Sequence, residues 1–416
     1  MNTYTDTIGR FTFEKINNLN NLRFFSKVKI IIKEILFSIK YSKYEIIKNE
    51  SKNNYNRIIL TWGLDGSIDK KGNFKDKYLN ISSKDVSNTL WFIIFLGKKK
   101  PERVNKNIIL LKTKNKLSFN FFKILLFVIK DIKYLFRNFY YYLNLKSSHF
   151  YFSNIYKNEI QKFINKNVKN IFMPYEGQPF QNNTIRYIKE KNLKIKSIGY
   201  VHSPLLPLPL NFICKKYSPD KIFLTGEDQF FVFSKYLGWK KKDIKLIPSL
   251  RFNRIIKKNV KPTIFLPHSI SDPKESMESI IYLNDKGFID LKDYKIQNHP
   301  VGKNNSNNKK LINSIQNLKI LVKRSKRTNG KKYLIFIGNS GAVIEFLERG
   351  YDVIHICEKK LYDLYSSNIW RSISNFKIKE NIYIYKLKRK GKLIKLGKKK
   401  ENLKRFNYIF KQSNKS

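Results

Sequence analysis

The chain has 416 residues, of which 84 are Lys or Arg and 31 are Asp or Glu, giving a formal charge of +53 at pH 7 with 42% hydrophobic content. That is enough length and apolar material for two α/β domains, each with its own core. Two lone cysteines, Cys214 and Cys357, exclude a disulfide framework and a thiolate metal cluster and point to a reducing compartment. The five histidines, His149, His202, His268, His299 and His355, show no His-x-His or His-x-x-x-His spacing, so no metal site is expected. The N-terminus lacks the charged and apolar blocks of a secretion signal, and no apolar run approaches the ~18 residues that span a bilayer. A cytoplasmic protein, peripheral at the inner face of the cell membrane, is expected. The charge calls for a polyanionic partner, yet only 14 of the 84 basic residues are Arg, the side chain that reads bases and phosphates bidentately. An anionic membrane surface is therefore the expected partner, and a specific nucleic acid is not.

Phe24 to Tyr41 mixes apolar and basic residues and reads either as a helix in a membrane interface or as a buried helix. Short apolar runs at 57–62, 90–97 and 107–111, ended by Gly or Lys, open an α/β domain. Phe121 to Tyr142 sets Lys123, Lys130, Lys133 and Arg137 on one helical stripe against a Phe/Ile/Leu face, with the same two readings as 24–41. Strands at 168–173, 195–201, 221–225 and 245–247 follow, with helices at 178–191 and 229–237 between them. Such alternation implies a parallel sheet covered on both faces. After a polar and basic stretch from Pro248 to Lys261 the rhythm restarts: strands at 263–267, 293–298, 333–338 and 352–357, helices at 275–285, 309–322 and 342–349. The expected units are 1–255, 256–375 and a basic tail or return helix at 376–416.

Ligands of open α/β sheets bind outside the carboxyl ends of the strands. In the second unit those ends carry His268 and Ser269, His299, the turn Gly338-Asn339-Ser340-Gly341, and Glu358. A strand-to-helix turn of small residues offers free backbone N–H groups to a phosphate. His299, Asn339, Ser340 and Gly341 are thus candidate phosphate binders, with His268 and Ser269 beside them. Glu358 lies 18 positions after Ser340, close to the ~20 at which dinucleotide folds place a ribose-binding acid. In the first unit the rule selects Glu176, Gly177 and Gln178, with His202 ending the next strand on the same edge. A Glu there suits a general base, or it complements the dipole of the helix that follows.

The ordered set of Glu176-Gly177, His299-Pro300 and the Ser340 turn resembles bacterial sialyltransferases and polysialyltransferases, and more loosely Kdo transferases and glycerophosphotransferases. The strings Glu176-Gly-Gln-Pro-Phe-Gln181, Gly199-Tyr-Val-His202 and Gly338-Asn-Ser-Gly-Ala-Val-Ile-Glu-Phe-Leu-Glu-Arg-Gly350 are similar to a wider group of surface-carbohydrate biosynthesis proteins. Two positions depart from the pattern: Asn339-Ser340 replaces a Ser pair, and Tyr175 stands where a second acid is common. The resemblance implies a GT-B-like fold, two Rossmann-like domains with parallel sheets facing across a cleft. It further implies an inverting, metal-independent glycosyltransferase with Glu176 as base and with His299 and Ser340 on the donor phosphate. The donor is then a nucleotide-activated sugar, such as a CMP-linked sialic-acid-like or Kdo-like one, used as co-substrate with no other cofactor. The acceptor is a glycan or glycolipid precursor of surface polysaccharide or lipopolysaccharide. The alternatives are a CDP-linked polyol-phosphate transferase and a non-catalytic basic membrane binder of the same fold.

Overall fold

The computed structural model describes residues 21–413 apart from 43, 50–54, 114–125, 127–128, 131, 205–209, 254–260, 271, 300–304, 323–332, 339, 358–366 and 368. Its first half is built on an eight-stranded sheet. In chain order the strands of this half are β1 (Tyr44–Lys48), β2 (Arg57–Gly63), a short antiparallel pair β3 (Lys75–Asp76) and β4 (Ile81–Ser82), β5 (Thr89–Phe95), β6 (Ile108–Thr113), β7 (Asn170–Pro174), β8 (Lys196–Tyr200), β9 (Lys221–Leu224) and β10 (Ile244–Leu246). The sheet runs β1-β6-β5-β2-β7-β8-β9-β10 and is parallel except where β1 pairs with β6. Every residue of β5 is buried, which is why a central parallel strand reads as an unbroken apolar run.

Among the described residues, six α-helices accompany this half: α1 (Phe24–Ser42), α2 (Lys133–Arg137), α3 (Phe139–Lys146), α4 (Ser148–Gln161), α5 (Pro179–Glu190) and α6 (Glu227–Lys235). Tyr156 and Ile160 of α4 and Ile185 and Ile188 of α5 cover one face of the sheet, against Ile58, Leu60 and Ile171. On the other face Ile59, Trp91 and Ile93 meet Phe74, Leu79 and Ile81. Of the stretch 121–142, residues 121–125, 127–128 and 131 lie outside the described residues, and the remainder is not one continuous helix. It breaks at Asn138, whose side chain accepts a hydrogen bond from the Tyr141 N–H (3.0 Å) and so starts α3 afresh. Ile31, Phe139 and Tyr142 form a small core under α1 and α3, while Phe25, Ile32, Leu126, Ile129 and Phe136 remain exposed. No described helix is long and apolar enough to cross a membrane.

The second half holds a six-stranded sheet, β12-β11-β13-β14-β16-β15, formed by β11 (Thr263–Phe265), β12 (Lys295–Gln297), β13 (Leu334–Ile337), β14 (Val353–Ile356), β15 (Ile373–Lys379) and β16 (Ile382–Leu387). The first four strands are parallel and the last two antiparallel. Helices α7 (Pro273–Asp285), α8 (Ser306–Leu321) and α9 (Ala342–Glu348) connect them. Two parallel-dominated α/β units are thus the architecture expected from the sequence.

The segment expected as a basic tail or return helix holds both sheet and helix. Residues 373–387 are the β15–β16 hairpin, because Ile382 and Ile384 bury one face of β16 and Tyr383 and Tyr385 the other, while Lys377 and Lys379 of β15 face solvent. Residues 388–397 then cross back to the first unit as a strap that turns at Gly391, φ +81°. Lys392 O accepts from the Asp228 N–H (3.1 Å), Lys395 donates to Thr225 O (2.6 Å), and Lys395 O accepts from Ser249 (2.8 Å). The buried Glu348 carboxylate, at the end of α9, accepts three backbone N–H groups of the strap: Gly391 (2.6 Å), Leu393 (2.8 Å) and Ile394 (3.1 Å). Gly226 has no room for a side chain, since a Cβ would stand 2.0 Å from Leu393 O. The chain ends in α10 (Asn402–Ser413), whose Phe406, Ile409 and Phe410 complete the second face of the first sheet. Phe406 lies 5.4 Å from Phe172, edge to face. Phe406→Ala is expected to cost about 3–5 kcal/mol of stability, read as a lower denaturant midpoint at unchanged slope.

Candidate functional site

β7 delivers the acidic turn. Tyr175, the residue after it, is buried, its N–H bonded to Tyr200 O (2.8 Å) and its hydroxyl to Asn182 (2.8 Å). It is a core residue and not a displaced acid. Gly177 sits at φ +67°, where a Cβ would meet Asn211 O at 2.1 Å, so the turn demands glycine twice over. Gln178 caps α5 with Pro179 at its first position. The wholly buried amide of Gln181 binds the turn from beneath. Its oxygen accepts from the N–H groups of Glu176 (3.0 Å) and Gln178 (3.1 Å), and its nitrogen donates to Pro174 O (2.7 Å). The backbone of Glu176 is thereby fixed at the head of α5.

His202, from the loop after β8, lies with Nε2 3.2 Å from Glu176 Oε1, and Gln178 Nε2 reaches Oε2 at 3.4 Å. The His202 ring is buried against Tyr78, centroids 4.4 Å apart. Neither ring nitrogen has an aligned hydrogen-bond partner, so the Glu176 contact is one of proximity and charge, not a directed bond. Burial lowers the His202 pKa, and Glu176 only partly opposes it. Burial on its own raises the Glu176 carboxyl, but His202, Gln178 and Arg251 outweigh it and hold the group below its ordinary value. An ionised carboxylate beside an uncharged imidazole is the resulting state near pH 7.

Arg251 is the residue that sequence reasoning missed. Its Nη1 donates to Ser203 Oγ (2.7 Å), and its guanidinium lies over Tyr78 and Phe252, 5.7 and 5.1 Å from their ring centres. Its charge acts on Glu176 and His202 of the first unit and on Glu345 of α9 in the second. A basic group reaching both units is suited to an anionic ligand between them. The signal was present: Arg is scarce here, and Arg251 stands at the crossing between units.

The second unit contributes three strand ends from one edge of its parallel strands. His268 and Ser269 follow β11, His299 follows β12, and Ser340-Gly341 follow β13, all with exposed or half-buried surface. The His268 and His299 rings are 6.1 Å apart. Burial and the neighbouring His268 both lower the His299 pKa, which leaves it an uncharged N–H donor at pH 7. Ser340 Oγ accepts from the Ala342 N–H at 3.3 Å, and Gly338 turns at φ +65°. A Cβ on Gly341 would lie 3.2 Å from Pro204 O. The turn after β13 therefore touches the loop that carries His202 and Ser203. Asn339, Glu358 and Pro300 lie outside the described residues.

Sequence reasoning left His355 without a role, but it supports this turn. Wholly buried on β14, it donates from Nε2 to Gly338 O at 2.7 Å. Burial lowers its pKa to about 4. Among the described residues no three His, Cys, Asp or Glu side chains gather as metal ligands.

No family model matches the chain. No curated protein matches it either. Among solved structures it is similar to a glycosyltransferase from Rickettsia africae ESF-5, at 11% identity and TM-score 0.37 over 88% of this chain and 100% of that one. It is also similar to S. aureus MnaA in a co-structure with UDP, at 10% identity and TM-score 0.35 over 72% of this chain and 78% of that one. Likeness that loose leaves the functional reading to the residues themselves.

The uncharged state of His355 has a measurable consequence. An unfolded His takes up its proton near 6.5 and the folded one only near 4, so this group favours the fold fully above pH 6.5 and progressively less as pH falls to 4. Stability is expected to drop by on the order of 3 kcal/mol across that window. Urea titrations at stepped pH should show the slope in the wild type and a flatter one in His355→Gln.

Proposed function

We propose that the chain is a nucleotide-sugar-dependent glycosyltransferase whose donor lies between the two units. The observation that carries this reading is the approach of Gly341 to Pro204, which sets a phosphate-binding type of turn beside the loop of His202, Ser203 and Arg251. In the step envisaged, an acceptor hydroxyl attacks the anomeric carbon from the face opposite the nucleotide. Its proton passes to the Glu176 carboxylate, the new carbon–oxygen bond forms, and the bond to the phosphate oxygen breaks with its electron pair leaving on the nucleotide. Arg251, the His299 N–H and the Ser340-Gly341 backbone meet the charge that develops on that oxygen. Inversion follows from a single displacement.

Within this class we favour an anionic donor such as a CMP-linked sialic-acid-like or Kdo-like sugar. The support is Arg251, whose fork fits a carboxylate or a phosphate equally well. The acceptor is read as a precursor of a surface polysaccharide or lipopolysaccharide, met at the cytoplasmic membrane face. The basic, apolar exposed surface of α1 and α2, with Phe25, Ile32 and Phe136, supports attachment there.

General-base catalysis contributes ~10²–10⁴-fold. Glu176→Gln is accordingly expected to lower kcat about 100-fold or more with donor KM little changed, in a nucleotide-release assay across CMP-, CDP-, UDP- and GDP-linked sugars. Arg251→Ala should instead raise donor KM at least tenfold. Wild-type turnover in Glu176→Gln would remove the base from the scheme.

A further inference from the structure

A cavity of about 340 Å³ opens in the first unit at the carboxyl ends of β2, β5 and β6, and Glu176 and Gln178 form part of its wall. The rest is chiefly apolar: Trp62, Phe95, Leu96 and Phe180 are representative. Such a wall is wrong for a sugar, because each buried hydroxyl left without a partner costs about 1–3 kcal/mol. It suits a hydrocarbon, and its volume accommodates roughly ten groups the size of a water molecule.

The mouth is preformed. Leu64 and Leu96, 43% and 57% exposed, stand there on neighbouring loops. Leu96 N–H bonds to Gly63 O (2.8 Å), and Asp65 accepts from the N–H groups of Lys98 (3.0 Å) and Lys99 (3.1 Å). Glu176 adds direction, since an ionised carboxylate in the wall repels an acidic head and accepts a hydroxyl.

We propose that this cavity binds the apolar chain of the acceptor, a neutral amphiphilic glycoside whose hydroxyl head meets Glu176. This rests on the glycosyltransferase reading and adds to it the chemical class of the acceptor. A hydrocarbon of that length presented at a surface would come from a lipid-linked saccharide. The exposed apolar residues of α1 and α2 belong to the same half of the molecule.

The probes are hexyl, octyl and decyl β-maltosides below their micelle concentrations, with maltose and decanoate as controls. Binding is read by the fluorescence of Trp62, assigned by its loss in Trp62→Phe. Affinity is expected to rise about fourfold per methylene, with no response to maltose and at least tenfold weaker binding of decanoate than of decyl maltoside. Leu96→Glu, at an exposed position that leaves the fold intact, should weaken decyl maltoside at least tenfold with unchanged Tm. An equal response to maltose, tighter binding of decanoate, or indifference to Leu96→Glu overturns the proposal. Because these are binding measurements, they stand apart from turnover. If chain-length dependence appears while Glu176→Gln keeps wild-type nucleotide release, the cavity stands and the catalytic reading falls.

Discussion

The molecule depends on one buried carboxylate. Glu348 closes the short helix α9, and its two oxygens take the backbone N–H groups of Gly391, Leu393 and Ile394 as the chain crosses from one unit to the other. A buried acid is costly unless its lone pairs are satisfied, and here they are satisfied by main chain, which cannot rotate away. The helix thus held begins immediately after Ser340-Gly341, and the strap it holds is bonded in turn to Thr225 and Asp228 of the first unit. Asp228 adds a second tie through the N–H and hydroxyl of Ser372. The turn after β13 and the acidic turn are therefore fixed relative to one another by these hydrogen bonds together with a hydrophobic core that runs through both units, from Ile58 and Ile171 to Val343 and Trp370. Gly226 belongs to the same device, since any side chain there would push the strap off.

This explains which parts of the architecture were legible in the sequence. Buried parallel strands such as Leu90 to Phe95 appear as continuous apolar runs, so their positions and order could be read directly. The β15–β16 hairpin and the strap could not. Leu393 and Ile394 stand between lysines, the apolar run Ile382 to Tyr385 is only four residues long, and the strap is held through its backbone, on which residue type leaves no mark. A Lys-rich stretch expected as a tail or return helix also carries a hairpin and a strap whose main chain bonds to both units. The same blindness hid β1, an antiparallel edge strand of mixed polarity.

The candidate site divides along a similar line. Strand ends are visible in sequence, so Glu176, His202, His268, His299 and Ser340 were found by position alone. Arg251 was not, because it lies in a linker and acquires its meaning only where Tyr78, Ser203 and Glu345 converge. His355 and Gln181 escaped for another reason. Each works through a buried hydrogen bond to the backbone of a turn, a role that reads in sequence as an ordinary core residue.

The electrostatics of the cleft follow from burial more than from the net charge. With +53 overall, a generic anion would find lysines everywhere, and selectivity must come from groups whose orientation is fixed. His202 and His299 are both pushed toward their uncharged forms by desolvation, so the positive charge drawn to a ligand between the units is concentrated on Arg251. Glu176 stays ionised beside an imidazole that does not neutralise it, which preserves its capacity to take a proton. On the proposed reading the guanidinium serves the leaving anion and the carboxylate the incoming hydroxyl, both from the side of Tyr78 and His202. If the apolar cavity takes the acceptor as proposed, the two substrates meet opposite chemistry: charge for the donor and hydrocarbon for the acceptor.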